Sequence, residues 1–333
     1  MIDWKGTGVL VIGGAGLIGR PLVTLLRDRG AEVTVFDCLV RAGRFPFEWT
    51  PPEGVTLVRG SAARWESLLP YVNGRPVVFN LAANLGGITH NLERPAEMFR
   101  DNIGIKLGVD DALWAAYGVE TFVDASTACV YSSEDPVPTP ESAVSADRGP
   151  WCPERSNFGY GIAKLCGEFL THHLPDLIRT ITVRFSNAYG PGDFFGFGCH
   201  VIPALIQRIE SGENPLMLWG GGSQSRTFLF AEDAAVALIE LAERAPTKTV
   251  CNVGVHEEAT ISNLAWIIAA ALGKDLTLDE DLSKPRGYWR RAPDLTVANG
   301  LGLTCTKEWV KLEEGIKRTV EWWKAQRAEN REP

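Results

Sequence analysis

The sequence predicts an α/β protein in which a doubly wound parallel sheet is joined to a smaller, interleaved C-terminal α/β domain. Apolar, β-prone runs alternate with helix-like segments through the first half of the 333 residues, which is typical of parallel sheets. From about residue 186 the alternation becomes irregular and glycine-rich loops appear. With 45% apolar and 22% charged residues, the chain has the composition of a packed globular protein. We therefore expect two domains, at residues 1–185 and 186–333.

Five apolar runs in the first half are predicted strands, because they are short and bounded by glycine or loop residues. They lie at residues 8–13, 31–37, 55–60, 75–83 and 119–126. Helices are predicted at residues 17–30, 95–118, 200–211, 231–244 and 313–331. A further helix is predicted directly after the last of these strands. The Pro- and Ser-rich stretch 133–155 is predicted to be a long surface loop.

Charge and composition exclude several classes of function. A formal net charge of −8 does not resemble the basic footprint of a nucleic-acid-binding protein. The longest apolar stretch, at residues 263–273, is shorter than the roughly 20 residues that a membrane-spanning helix needs. The N-terminus lacks the pattern of a signal peptide. The seven cysteines include no CxxC pair, which indicates reduced thiols, a cytoplasmic protein and no metal centre.

The segment "GGAGLIG" follows the first predicted strand and opens the first predicted helix. In such a motif Gly13 allows the tight turn, Gly16 lets a pyrophosphate approach the backbone, and Gly19 lets helix and strand pack closely. Asp37 ends the second strand, where a carboxylate favours the free ribose hydroxyl of NAD. Arg41 and Arg44 follow it and offer an alternative contact to a 2′-phosphate, so NADP is left open.

A catalytic group is predicted near the carboxyl end of the strand at 119–126. Tyr160 and Lys164 in "YGIAK" lie four residues apart, on one face of a helix, and Thr127 lies just beyond that strand. A tyrosine beside a lysine ammonium and a nicotinamide cation can lose its proton below its usual pKa of about 10. It then acts as a base on a sugar hydroxyl while a hydride moves to the cofactor, and Thr127 hydrogen-bonds the same oxygen.

The motifs "GGAGLIG", "STACVY", "YGIAK" and "NAYGPGD" together closely resemble the extended short-chain dehydrogenase/reductase family, which contains the nucleotide-sugar epimerases and dehydratases. The resemblance covers nearly the whole chain. It implies a Rossmann domain, a small substrate domain and a homodimer formed through two long helices per subunit. Further cofactor contacts are expected at Leu17, Ile18, Leu81, Ala82 and Ala83. Two features depart from the pattern: Ser61 replaces the usual acid after the third strand, and the interval between Thr127 and Tyr160 is lengthened by a loop that can cover the site.

Two branches of the family share a cysteine at the position of Cys129, namely the GDP-mannose 3,5-epimerases and the GDP-fucose synthases. Both also carry two glycines and an apolar residue after strand four, as in Gly86, Gly87 and Ile88. Asn80 resembles the epimerase, whereas the segment that contains His200 resembles the synthase.

The chemistry explains the use of such a pair. Oxidation of a sugar at carbon 4 makes the hydrogens at carbons 3 and 5 acidic, and inversion then needs a base on one face and an acid on the other. Cysteine and histidine suit this task, because their usual pKa values of about 8.5 and 6.5 lie near the operating pH. Gly86 and Gly87 would leave room for the sugar ring, with Ile88 as an apolar wall.

Further substrate contacts follow from the resemblance, and arginine suits a diphosphate because it can form paired, charge-assisted hydrogen bonds. These positions are Asn187, Trp219, Arg226, Arg290 and Arg291.

The sequence thus predicts an epimerase with tightly bound NAD that inverts carbon 3, carbon 5 or both in a GDP-hexose or related nucleotide sugar. The alternatives are an epimerase–reductase of the fucose-synthase type that consumes NADPH, a nucleotide-sugar 4-epimerase, and a catalytically idle dinucleotide sensor.

Overall fold

A computed structural model describes residues 2–41, 45–144, 158–196, 198–284 and 287–329. Within these ranges the strands are β1 (Gly8–Ile12), β2 (Glu32–Asp37), β3 (Val40–Arg41), β4 (Phe45–Pro46), β5 (Thr56–Arg59), β6 (Val77–Asn80), β7 (Thr121–Thr127), β8 (Arg179–Phe185), β9 (Asn187–Tyr189), β10 (Leu216–Trp219), β11 (Ser225–Phe230), β12 (Thr249–Val253), β13 (Glu258–Thr260), β14 (Leu278–Asp281) and β15 (Arg290–Arg291).

The helices of the same ranges are α1 (Gly19–Asp28), α2 (Trp65–Val72), α3 (Ile88–Glu93), α4 (Pro95–Ala115), α5 (Phe158–His172), α6 (Val201–Glu210), α7 (Ala231–Arg244), α8 (Ile261–Leu272), α9 (Thr296–Gly300) and α10 (Leu312–Glu329). None of the helices described here combines the length and the apolar character needed to cross a membrane.

The predicted parallel sheet is confirmed. Among the described residues it has seven strands in the order β12-β8-β7-β6-β1-β2-β5, and every pairing is parallel. Alternate residues of β1 enter different apolar clusters, with Val9 and Val11 in one and Leu10 and Ile12 in the other. Both faces of the sheet are therefore buried, which is why its strands are continuous apolar runs.

A second lobe has its own apolar core, formed by α6, α8, α10 and the short strands β10 and β11. The chain does not divide cleanly at residue 185, where β8 ends. Residues 231–255, which contain α7 and β12, return to the large sheet, and residues 295–305 pack against the same core. The second lobe is thus built from separate stretches of the chain.

Local sequence explains where several helices begin and end. Thr260 caps α8 by accepting a hydrogen bond from the backbone N–H of Asn263, and Gly273 ends that helix with a φ of 69°. Helix α1 buries Leu22, Val23 and Leu26, which lie on one face. Of the predicted loop 133–155, residues 145–155 lie outside the described part of the chain.

Candidate active site

A cavity of about 1340 Å³ lies at the carboxyl ends of the strands of the large sheet and extends into the second lobe. The structure brings most of the predicted site residues to it. Those that line the cavity are Gly13, Gly16, Leu17, Ile18, Gly19, Asp37, Leu81, Ala82, Ala83, Gly86, Gly87, Ile88, Thr127, Cys129, Tyr160, Lys164, Asn187, His200, Trp219, Arg226 and Arg291. The remaining predicted residue, Arg290, is not among the residues that line it.

One end of the cavity fits a dinucleotide. Gly13 has a φ of 77°, and a Cβ atom there would lie 2.6 Å from the backbone N of Ala82. A Cβ atom at Gly19 would lie 2.6 Å from the Cα of Gly14, so the start of α1 packs directly on the turn. At Gly16 the nearest heavy atom to such a Cβ is a single backbone oxygen at 3.2 Å, which leaves its other side open for a pyrophosphate.

Asp37 is buried at the end of β2, beside this turn. Its Oδ2 accepts a hydrogen bond from the backbone N–H of Ala15 at 3.0 Å, and its Oδ1 accepts one from Leu39 N–H at 2.8 Å. The carboxylate therefore also braces the glycine turn, and its negative charge opposes a 2′-phosphate nearby. Arg44 and the side chain of Arg41 lie outside what the structure describes.

Thr127, Tyr160 and Lys164 meet where β7 and α5 approach each other. Lys164 Nζ donates a hydrogen bond to the backbone oxygen of Ala125 at 2.7 Å and lies 6.0 Å from the centre of the Tyr160 ring. Burial raises the pKa of the Tyr160 phenol, with a further increase from Cys129, while a hydrogen bond with Thr127 acts in the opposite direction. Burial also lowers the pKa of Lys164. The lowering of the Tyr160 pKa expected from the sequence is therefore not a property of these protein groups alone.

Behind Lys164 lies a buried ion pair that the sequence analysis did not identify. Lys106 of α4 is 2.9 Å from Asp124 of β7 and donates a hydrogen bond to Thr171 Oγ1 at 2.7 Å. Asn80 donates to the other oxygen of Asp124 at 2.8 Å. Asn80 thus has a structural partner inside the sheet. A lysine in the middle of a helix is usually exposed, so its type gave no signal of this burial.

Cys129 follows Thr127 and faces the second lobe. Its Sγ lies 3.5 Å from Nη1 of Arg291, across the boundary between the lobes. The Thr127 hydroxyl accepts a hydrogen bond from the Cys129 backbone N–H at 3.2 Å, which fixes the turn that carries the thiol.

Two arginines lie side by side in the cavity, because Arg226 of β11 and Arg291 of β15 are paired in register. Nε and Nη2 of Arg291 are buried without a hydrogen-bond partner among the described residues, and its guanidinium lies 3.8 Å from the centre of the Tyr288 ring. Burial and the charge of Arg291 lower the pKa of Arg226 to about 10. Two adjacent, half-buried cations favour an anion with more than one charge.

Arg290 points elsewhere, since adjacent strand residues face opposite sides. Its guanidinium is exposed and paired with Glu258, at 2.6 Å between Nη2 and Oε1. Of the two neighbouring arginines that were expected to contact the substrate, Arg291 lines the cavity and Arg290 does not.

Asn187 and Trp219 line the cavity from the second lobe. Asn187 Nδ2 donates a hydrogen bond to the backbone oxygen of Thr227 at 3.0 Å, which leaves its side-chain oxygen for a ligand. The ammonium of Lys284 lies 5.8 Å from the centre of the Trp219 ring.

His200 precedes α6, and its Nδ1 lies 3.5 Å from Oδ1 of Asp193. Burial acts to lower the pKa of His200, but the carboxylate of Asp193 outweighs it and the pKa is raised. Asp193 is the last residue of "NAYGPGD", a motif that indicates the family but predicts no role for this residue.

The structure shows a further reason why positions 86 and 87 require glycine. A Cβ atom at Gly86 would lie 2.5 Å from Cδ2 of His90, and one at Gly87 would lie 2.2 Å from the backbone oxygen of Cys199. Gly87 N–H also donates to the Gly198 oxygen at 2.5 Å. These glycines line the cavity, and each also makes room for protein: Gly86 for the side chain of His90, and Gly87 for the loop that carries His200.

Comparisons with known proteins agree with this geometry. A family model described as the NAD dependent epimerase/dehydratase family matches residues 9–254. GDP-L-fucose synthase 1 of Arabidopsis thaliana is 30% identical over 331 residues, which cover 96% of this chain and 94% of that protein. Among solved structures, an epimerase from Methanothermobacter thermautotrophicus is similar with a TM-score of 0.85 and 27% identity over 98% of this chain and 95% of that one. The UDP-N-acetylglucosamine 4-epimerase of Methanobrevibacter ruminantium gives a TM-score of 0.80 and 26% identity over 97% and 99% of the two chains.

Proposed function

The chain belongs to the NAD dependent epimerase/dehydratase family, and we propose that it is a redox-neutral nucleotide-sugar epimerase that inverts carbon 3, carbon 5 or both in a GDP-hexose. The observation that carries the proposal is one cavity that contains two chemical sets. Thr127, Tyr160 and Lys164 serve oxidation at carbon 4, whereas Cys129 and His200 serve proton transfer at its neighbours.

The cofactor proposed is tightly bound NAD, held by the glycine turn, by Asp37 and by the loop after β6. When bound, NAD would supply a reversible hydride acceptor for the oxidation at carbon 4. The buried carboxylate of Asp37 supports NAD over NADP, because a 2′-phosphate there would meet a like charge.

The first proton transfer is assigned to Tyr160. Its phenolate takes the proton of the carbon-4 hydroxyl as the carbonyl forms, and Thr127 hydrogen-bonds the same oxygen. Lys164 supplies positive charge beside the phenol, which offsets the unfavourable effect of burial on the phenolate.

The second proton transfer is assigned to Cys129 and His200. The thiolate is the basic form of cysteine, and Arg291 is the cation beside its sulfur. Cys129 takes the proton from carbon 3 or 5, the electron pair moves into the enolate, and His200 gives a proton to the opposite face. One inversion leaves Cys129 protonated and His200 neutral, so exchange with water resets the pair.

The diphosphate of the substrate is assigned to Arg226 and Arg291. Their in-register placement and the unpartnered nitrogens of Arg291 support a site for a multiply charged anion. The similarity to a GDP-L-fucose synthase supports guanosine as the nucleoside.

The test is a heavy-water screen of GDP-, UDP- and dTDP-sugars, with deuterium located by NMR. The proposal predicts deuterium at carbon 3 or 5 of at least one GDP-sugar, and NAD among the small molecules released on denaturation. A substrate that is turned over without deuterium at either carbon would refute the two-base mechanism and leave a 4-epimerase.

A second candidate is an epimerase–reductase that consumes NADPH, which the similarity to GDP-L-fucose synthase 1 favours. Net oxidation of NADPH with a 4-keto sugar nucleotide, and no bound NAD on denaturation, would establish it over the redox-neutral reaction.

We also propose a homodimer formed through α4 and α5. These helices pack side by side and present large apolar side chains to solvent, with exposed fractions of 46% for Leu107, 58% for Trp114 and 64% for Phe169. Large apolar side chains exposed on two packed helices are typical of an interface. Sedimentation should give a dimer for the wild type and a monomer for Leu107→Glu, and a monomeric wild type would refute the proposal.

A further inference from the structure

The carboxylate of Asp193 lies inside the protein, and His200 extends from it into the cavity. The side chain of Asp193 is 4% exposed and that of His200 is 39% exposed, with 3.5 Å between Oδ1 and Nδ1. His200 directly precedes α6, and Asp193 lies seven residues before it in the chain.

The Asp193 carboxylate is only partly hydrogen-bonded within the described residues. Its Oδ1 accepts a hydrogen bond from the backbone N–H of Phe194 at 2.7 Å, while its Oδ2 is buried without a hydrogen-bond partner among the described residues. A buried carboxylate is costly unless a cation compensates it. The ionisable group that the structure places beside it is the imidazole of His200, which is a cation when protonated.

Other titratable or charged groups around this loop are differently engaged. The Cys199 thiol donates to Gln207 Oε1 at 3.6 Å. His90 packs beneath Gly198. Arg20 approaches Gly192, with its guanidinium 5.7 Å from the centre of the Phe47 ring, and its Nε donates to the backbone oxygen of Ala15. None of them is a second carboxylate facing His200.

We propose that Asp193 is a positioning residue for His200, which holds the imidazole by Nδ1 in its cationic form and leaves Nε2 as the atom that delivers the proton. This inference rests on the proposed function for its catalytic consequence, whereas the pairing itself does not depend on any substrate. The raised pKa of His200 agrees with it.

The pairing is tested first by NMR titration of the histidine rings in the complete protein. The chain has five histidines, so the His200 signal is assigned by its loss in His200→Gln. Asp193→Asn keeps an oxygen for Phe194 N–H but removes the charge, and should lower the pKa of His200. Asp193→Glu restores a carboxylate and should recover part of the shift.

Asp176→Asn is the matched control, because it removes the same charge at a side chain that is 89% exposed. It should leave the His200 titration unchanged. Thermal melting of each variant checks that it folds. A His200 titration that is the same in Asp193→Asn and the wild type would overturn the pairing.

The catalytic consequence is tested by the pH dependence of deuterium incorporation at carbons 3 and 5. In Asp193→Asn the loss of activity with rising pH should begin at a lower pH than in the wild type, in step with the NMR shift. An unchanged profile together with a shifted titration would overturn the role of Asp193 in proton delivery. Absence of exchange in the wild type would instead refute the proposed function, and the titration alone would still decide the pairing.

Discussion

Replacing Gly87 by alanine tests whether the glycine pair after β6 positions the His200 loop. The added Cβ would lie 2.2 Å from the backbone oxygen of Cys199, whereas ordinary contact begins near 3.4 Å. The two segments must therefore separate by about 1.2 Å. Because His200 follows Cys199 directly, its side chain moves with the displaced carbonyl.

The magnitude follows from this displacement. Forcing an extra carbon into a packed contact costs about 1–3 kcal/mol of stability, and it disturbs the hydrogen bond from Gly87 N–H to the Gly198 oxygen. A misplacement of about 1 Å at a reacting group can lower the rate of its step about 100-fold. We expect Gly87→Ala to lose stability by that amount and to lose most of its deuterium exchange at carbons 3 and 5.

The assays are denaturant unfolding and NMR detection of deuterium in the sugar. Gly300→Ala is the control, since a Cβ atom there meets nothing within 4 Å. Hydride transfer at carbon 4 should persist in Gly87→Ala, because Tyr160 lies on a different element. Wild-type stability and wild-type exchange in Gly87→Ala would refute the assignment of this glycine to the His200 loop.

Three further substitutions probe separate parts of the site. Cys129→Ser should abolish exchange at carbons 3 and 5 while reduced cofactor still forms, and persistent exchange would reduce Cys129 to a packing residue. Arg291→Met should weaken GDP binding about 10- to 100-fold in calorimetry, whereas Arg290→Met, which removes an exposed arginine, should leave it unchanged; equal losses would contradict the assignment. Lys106→Met should cost about 3–5 kcal/mol in denaturant unfolding, because Asp124 is left buried without its cation, and a smaller loss would show that the pair is dispensable.

The sequence was sufficient to predict the large sheet because both of its faces are buried. Its strands are therefore apolar runs with clear ends, and the five predicted ones correspond to β1, β2, β5, β6 and β7. The edge strand β12 and its neighbour β8 were not predicted from the sequence. Whether a segment forms a strand depends largely on its local sequence. The pairing of β12 with β8, which ends 64 residues earlier, depends instead on the path of the whole chain between them.

The candidate site divides in the same way. Residues in local motifs, such as the glycine turn and the Tyr160–Lys164 pair, were predicted because their spacing along the chain determines how they lie relative to one another. The contacts between Arg291 and Cys129 and between Lys106 and Asp124 join residues far apart in sequence. Spacing along the chain carries no information about such pairs. It likewise did not predict that Gly87 packs against the backbone of Cys199, which lies in a distant loop.

The discontinuous second lobe limits how such proteins can be recombined. A cut at residue 185 would separate β12 and α7 from the sheet that they complete, so the core of the large sheet would be divided between the two fragments. An exchange of substrate specificity between relatives therefore needs several simultaneous junctions, near residues 186, 231, 256, 295 and 306. A single crossover at residue 185 would transfer part of the core of the large sheet together with the second lobe. Evolution of new specificity in this architecture is thus expected to proceed by substitution within the loops that line the cavity.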